Sequence, residues 1–232
     1  MTQADDATPA TIATSAQTLV APELKPRLRG WIHAVNFPLA VLGGVLLTIA
    51  APPTAPRVAC LVLAITAAAL FGTSAVYHLG SWGPAAKAGL RRADHSNIFL
   101  IIAGTYTPLA VLLLDTRGAT ILLAIVWTGA LLGIAARMIW LSAPRWIYTP
   151  VYVALGWVAV GYLPTFARTG SATVVWLIAI GGLAYTLGAV VYALKRPDLA
   201  PRWFGFHELF HVGTVIGYWC HFAAVAVALT LL

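Results

Sequence analysis

Long apolar stretches alternate with short polar breaks along most of the chain. Seven stretches stand out, at about 31–50, 58–80, 94–114, 118–136, 146–166, 172–194 and 204–231. Each comes close to or exceeds the ~20 mostly apolar residues that a helix needs to cross a bilayer core. The breaks read "APPTAPR", "SWGPAAKAGLRR", "DTRG", "RMIWLSAPR", "ARTGS" and "KRPDLAPR", and all are marked by Pro, Gly or charge, as loops are. The fifth stretch is the least regular, because Pro150, Gly156, Gly161 and Pro164 interrupt it. Neighbouring helices can compensate such interruptions. Residues 1–29 differ: they are rich in Ala, Thr and Pro, with no basic start followed by an apolar core. The pattern predicts a disordered tail over 1–29 and a seven-helix domain over 30–232.

Composition agrees. Of 232 residues, 60% are hydrophobic and 9% charged, against about 25% charged in soluble domains. The expected fold class is an all-α, multi-pass membrane protein with seven transmembrane helices. The net charge of +7 suggests nucleic acid in a soluble protein. Here it fits loops facing anionic lipid, so the expected partners are membrane lipids and no nucleic acid. Its distribution also orients the chain. With the N-terminus in the cytoplasm, 11 of the 14 basic residues fall on the cytoplasmic side, leaving only Arg57, Arg117 and Arg168 outside. The positive-inside rule thus predicts a cytoplasmic N-terminus and an external C-terminus. Cys60 and Cys220 form no CxxC pair and read as packing residues.

Ionisable residues within spans are costly, which makes them functional candidates. His78 ends the second span, Asp94 opens the third, and His207 and His211 lie in the first two turns of the seventh. The span order brings all four to one depth, near the cytoplasm. Histidines at i and i+4 share a helix face and can reach one metal. Adding His78 makes three imidazoles, the donor set of a catalytic zinc site with one position left for water. Asp94 could hold or deprotonate that water, and Ser74, one turn from His78, could hydrogen-bond nearby. Simpler roles compete: Asp94 could pair with Arg91 or Arg92, and Ser74 could bond its own helix. His33 and His95 read as structural, with His95 a reserve ligand. His221 lies ~15 Å beyond His211 along the helix, too far to share the site.

The stretch "HELFH", His207 to His211, also matches the H-E-x-x-H signature of zinc proteases. The extended protease form asks for glycine and histidine where this chain has Thr214 and Gly217, so that reading is disfavoured. Glu208, at the place of the protease base, reads as a first-turn acid favoured by the helix dipole and paired with Arg202.

Taken together, Ser74–His78 as S-x3-H, "ADHSNIFLIIAGTYTPL" from Ala93, and His207–His211 as H-x3-H resemble the hemolysin III family. That family belongs to the wider progestin and adiponectin receptor superfamily. The resemblance covers about residues 25–231. It implies seven helices, a cytoplasmic N-terminus, zinc held by His78, His207 and His211, Asp94 acting through the zinc-bound water, and Ser74 as the remaining motif polar group. It also implies a role in membrane-lipid homeostasis at a bacterial plasma membrane. Eukaryotic relatives are linked to ceramide hydrolysis, and bacterial members carry a hemolysin name. Two functions follow: a zinc-dependent, ceramidase-like hydrolase of lipid amides or esters, or a non-enzymatic sensor, receptor or lytic pore with structural zinc. Spans four and six carry few polar residues, which modestly disfavours a pore.

Overall fold

The computed structural model describes residues 25–232. Its helices are α1 Trp31–Ala50, α2 Ala55–Leu79, α3 Pro84–Leu113, α4 Thr116–Ile139, α5 Arg145–Gly156, α6 Leu163–Thr169, α7 Ala172–Leu194 and α8 Phe206–Leu229, with a 3₁₀ turn over Trp157–Tyr162 joining α5 to α6. Counting Arg145–Thr169 as one, seven helical spans are long and apolar enough to cross a membrane. There is no strand among the described residues. The all-α, seven-span architecture expected from the apolar pattern is therefore what the chain adopts. Residues 1–24 of the expected tail lie outside the described residues. The last part of that stretch is docked: the Arg27 and Leu28 amides donate to the Arg202 and Trp203 carbonyls at 3.0 and 3.1 Å.

Local chemistry sets the helix starts. Asp115 Oδ1 accepts the Gly118 amide at 2.9 Å ahead of α4, and Ser171 Oγ accepts the Val174 amide at 3.3 Å ahead of α7. Both are N-caps that satisfy a donor the helix cannot. Helix α3 begins at Pro84, well before the expected boundary near 94. Proline at a first helical position loses no hydrogen bond, and the Ala, Lys, Leu and Arg that follow are good helix formers. Hydropathy located the lipid-spanning part of α3 and not its polar beginning. Asp94 consequently sits in the third turn.

The fifth span breaks where the sequence interrupts it. Tyr106 of α3 repairs the break: its hydroxyl donates to the Gly156 carbonyl at 2.6 Å and accepts the Ala159 amide at 2.7 Å. A neighbouring helix thereby satisfies backbone groups that lipid could not.

Packing relies on close approach. Helices α7 and α8 run antiparallel, and a Cβ on Gly213 would lie 2.9 Å from the Ala184 carbonyl and 3.1 Å from Gly188 Cα. Small residues permit such contact, on which helix association in lipid depends. Helix α3 is the most buried span and touches α2, α4, α5 and α8. At the entry to α1, Gly30 adopts φ +89°, and a Cβ there would meet His78 Cβ at 2.7 Å. The start of α1 is thus pressed against the end of α2.

Candidate metal centre

The last turn of α2 and the first two turns of α8 meet at one end of the bundle. His78 comes from the former, and His207 and His211 from the latter. One nitrogen from each ring lies within 4.8 Å of the others. His78 Nε2 and His207 Nε2 are 3.2 Å apart. Ligands held tetrahedrally at ~2.0–2.1 Å from an ion sit roughly 3.3 Å from one another, so this pair already has coordination spacing. His211 Nδ1 is buried and has no hydrogen-bond partner among the described residues. The three histidines are close enough to bind one metal ion.

Asp94 approaches from α3. Its Oδ2 lies 3.8 Å from His78 Nε2 and 3.8 Å from His95 Nδ1. It forms no ion pair with Arg91 or Arg92 among the described residues. Ser74 neighbours the Asp94 carboxyl, and its side chain is buried on the same wall. His95 is turned back on its own helix, its Nδ1 donating to the Arg91 carbonyl at 2.8 Å. His221 stays apart, as its depth predicts, with Nε2 donating to the Ile178 carbonyl at 3.2 Å.

Two features depart from the sequence reading. The first is His33. Its ring stacks face to face on His211, with centroids 3.8 Å apart and planes 9° from parallel, while Phe71 meets it edge-on at 5.1 Å. It belongs to the wall of the centre as well as to the packing. A histidine in the first turn of a span is the only sequence signal, and its pairing with α8 is not local. The second is Glu208. It is fully buried, paired with Arg29 and not with Arg202, and its Oε2 accepts the Gly205 amide at 2.8 Å. Both oxygens are committed to holding the start of α8, as a capping acid does.

An apolar cavity of about 300 Å³ extends from this cluster into the bundle, with His207, His211, Asp94 and Ser74 on its wall. Trp157, Val160 and Leu183 also line it and are about half exposed. The cavity therefore meets the outer, lipid-facing surface between the broken fifth span and α7.

Comparison with known proteins agrees with this architecture. The family described as "Haemolysin-III related" matches residues 23–222. The "Hemolysin-3 homolog" of Bacillus subtilis (strain 168) is 36% identical over 104 residues, 44% of this chain and 48% of that protein. The "Hemolysin-3" of Bacillus cereus is 31% identical over 103 residues, 44% of this chain and 47% of the relative. The matched part of the chain spans about half the length of these curated relatives.

Proposed function

Because the chain belongs to the haemolysin-III-related family and brings three histidines together at one end of an apolar cavity, we propose that it is a zinc-dependent hydrolase of lipid amides or esters. The observation that carries this reading is the meeting of two chemistries. A metal-competent imidazole cluster stands beside the Asp94 carboxyl, at one end of an apolar cavity. His78, His207 and His211 are the ligands. Zinc, when bound, supplies Lewis acidity toward a carbonyl and toward water.

The chain's own groups do the rest. Asp94 takes the proton from the water that attacks the carbonyl carbon, and returns it to the departing nitrogen or oxygen as the C–N or C–O bond breaks. Ser74 donates to the Asp94 carboxylate and holds it toward the cavity. The apolar wall orients the substrate chain and excludes bulk water. By the charge distribution, the centre faces the cytoplasmic side of a bacterial plasma membrane, and the pathway to it runs sideways from the bilayer.

The test is fatty-acid release from ceramides and phospholipids by purified protein, with and without chelator. Asp94→Ala is expected to abolish release while leaving most metal bound. His211→Ala is expected to weaken zinc at least about a hundredfold, since groups that only orient a ligand are worth 10–100-fold. Tightly held zinc with no hydrolysis of any lipid amide or ester would leave the cluster as a tie between α2 and α8. Folded wild-type protein without metal after purification would remove the centre altogether.

A further inference from the structure

Arginines gather at the end of the bundle that carries the histidine cluster, and several are committed there. Arg29 is paired with Glu208, Arg92 donates to the Met138 carbonyl at 3.4 Å, and Arg137 is buried with its guanidinium over the Tyr148 ring. Arg145 differs. It opens α5, is half-buried, and forms no ion pair with a carboxylate among the described residues. Its Nη1 donates to the Tyr192 carbonyl at 3.3 Å, near the end of α7. Nε and Nη2 make no hydrogen bond among the described residues, and neither is shut off from solvent. A cap on α7 needs only the one donor. The remaining Nε–Nη2 edge is a fork of the kind that grips two oxygens of one phosphate.

Two aromatic rings fix where this guanidinium stands. Its Cζ lies 4.3 Å from the Tyr192 ring centroid and 5.4 Å from that of Phe206. Tyr192 lines the apolar cavity, and its ring centroid is 5.6 Å from that of His207. Phe206 is the residue before His207 on α8. Arg145 Cζ is therefore no more than about 10 Å from the His207 ring. Arg145 also bridges a particular seam, the one between the fifth span and α7. Further along that seam the Trp157 indole donates to Thr186 Oγ1 at 3.0 Å, where the cavity meets the lipid-facing surface. Thr186 precedes Tyr192 by six residues, ~9 Å along α7. Arg145 thus stands at the end of the seam, at the first residue of a span, which is headgroup depth in a bilayer. By the charge distribution that end is expected to face the cytoplasm.

We propose that Arg145 recognises the phosphate of a lipid whose acyl carbonyl lies at the histidine cluster. In a phospholipid five or six bonds separate the carbonyl carbon from phosphorus, about 6–7 Å when extended. A two-point grip puts the guanidinium carbon roughly 4 Å from phosphorus. One molecule therefore spans both points, with its chain in the cavity and its headgroup at the end of the seam. The inference rests on the lipid-hydrolase reading of the centre and names the substrate class. The lipid amide or ester taken is one that carries phosphate, in preference to ceramide, which has only hydroxyls to offer there.

The experiment reads binding and not turnover, so it stands apart from the test of hydrolysis. The full chain is held in maltoside micelles, which contain no phosphate, with a fluorescent lysophosphatidic acid as displaceable probe. The competitors are unlabelled lysophosphatidic acid, the monoacylglycerol with the same chain, and inorganic phosphate. The phosphate-bearing lipid is expected to bind at least about tenfold tighter than the monoacylglycerol, the low end for a hydrogen bond to a charged group. Arg145→Gln is expected to erase that preference and leave monoacylglycerol affinity unchanged. Arg145→Lys, which keeps the charge and loses the fork, is expected to keep part of it. Lys87→Gln removes a charge elsewhere at the same end and is expected to change nothing. Equal affinity for the two lipids overturns the phosphate site and leaves the hydrolase reading standing. So does a preference that survives Arg145→Gln, or one that Lys87→Gln lowers as much. Inorganic phosphate that displaces the probe from wild type as well as the lipid does would assign Arg145 to a free anion and overturn the headgroup role. If neither lipid displaces the probe, the cavity is no lipid-chain site, and the inference falls with it.

Discussion

At the level of single residues, the proposed zinc centre is expected to depend on the side chains that hold His78, His207 and His211 as much as on those three. His33 covers one face of His211 and is itself braced by Phe71. Replacing it with Ala opens a gap beside a ligand, so zinc affinity is expected to fall about tenfold. His33→Phe keeps a flat ring there and is expected to retain near-normal affinity. Competitive chelator titration of both variants checks this, and equal loss in the two would show that a nitrogen of His33 matters and not the stack. Glu208 makes the opposite case. Its two oxygens serve Arg29 and the Gly205 amide, so Glu208→Gln is expected to keep turnover and to cost about 1–3 kcal/mol of stability. Thermal unfolding and turnover measured side by side decide it, and lost turnover with unchanged stability would return the protease-like role to this acid. The His207–His211 spacing and the depth of His78 were legible in the sequence, because helix periodicity alone puts them on one face and one level. The His33 stack and the Arg29 partner were not, because each depends on how α1 docks against α8, some 180 residues away in the chain.

Helices were legible to the extent that apolarity marks them. Six of the seven spans begin and end within a few residues of the hydropathy boundaries. The exception is the start of α3, where Lys87, Arg91 and Arg92 continue the helix as a polar extension. The irregular fifth span was visible from its Pro and Gly residues, yet its repair was not, since the repairing hydroxyl lies on α3. That repair gives a test. Tyr106→Phe leaves the Gly156 carbonyl and the Ala159 amide without their partner, and a loss of about 1–3 kcal/mol is expected. The melting temperature in mild detergent reports it. An unchanged value would mean that water already serves the break.

For the whole molecule, the charge distribution leads us to expect the N-terminus inside and the C-terminus outside. Reporter fusions after Leu232 and in the segment around Lys87 are expected to report opposite sides, and identical signals would contradict the seven-span count. The order in which the chain leaves the ribosome has a consequence for the metal. His78 arrives with the second helix, whereas His207 and His211 belong to the last. Arg29, synthesised near the beginning, finds its partner Glu208 only once α8 has been made. On the proposed reading, a nascent chain short of α8 offers an ion one of the three imidazoles, so metal capture is expected only once synthesis is complete, and truncated chains are expected to stay metal-free.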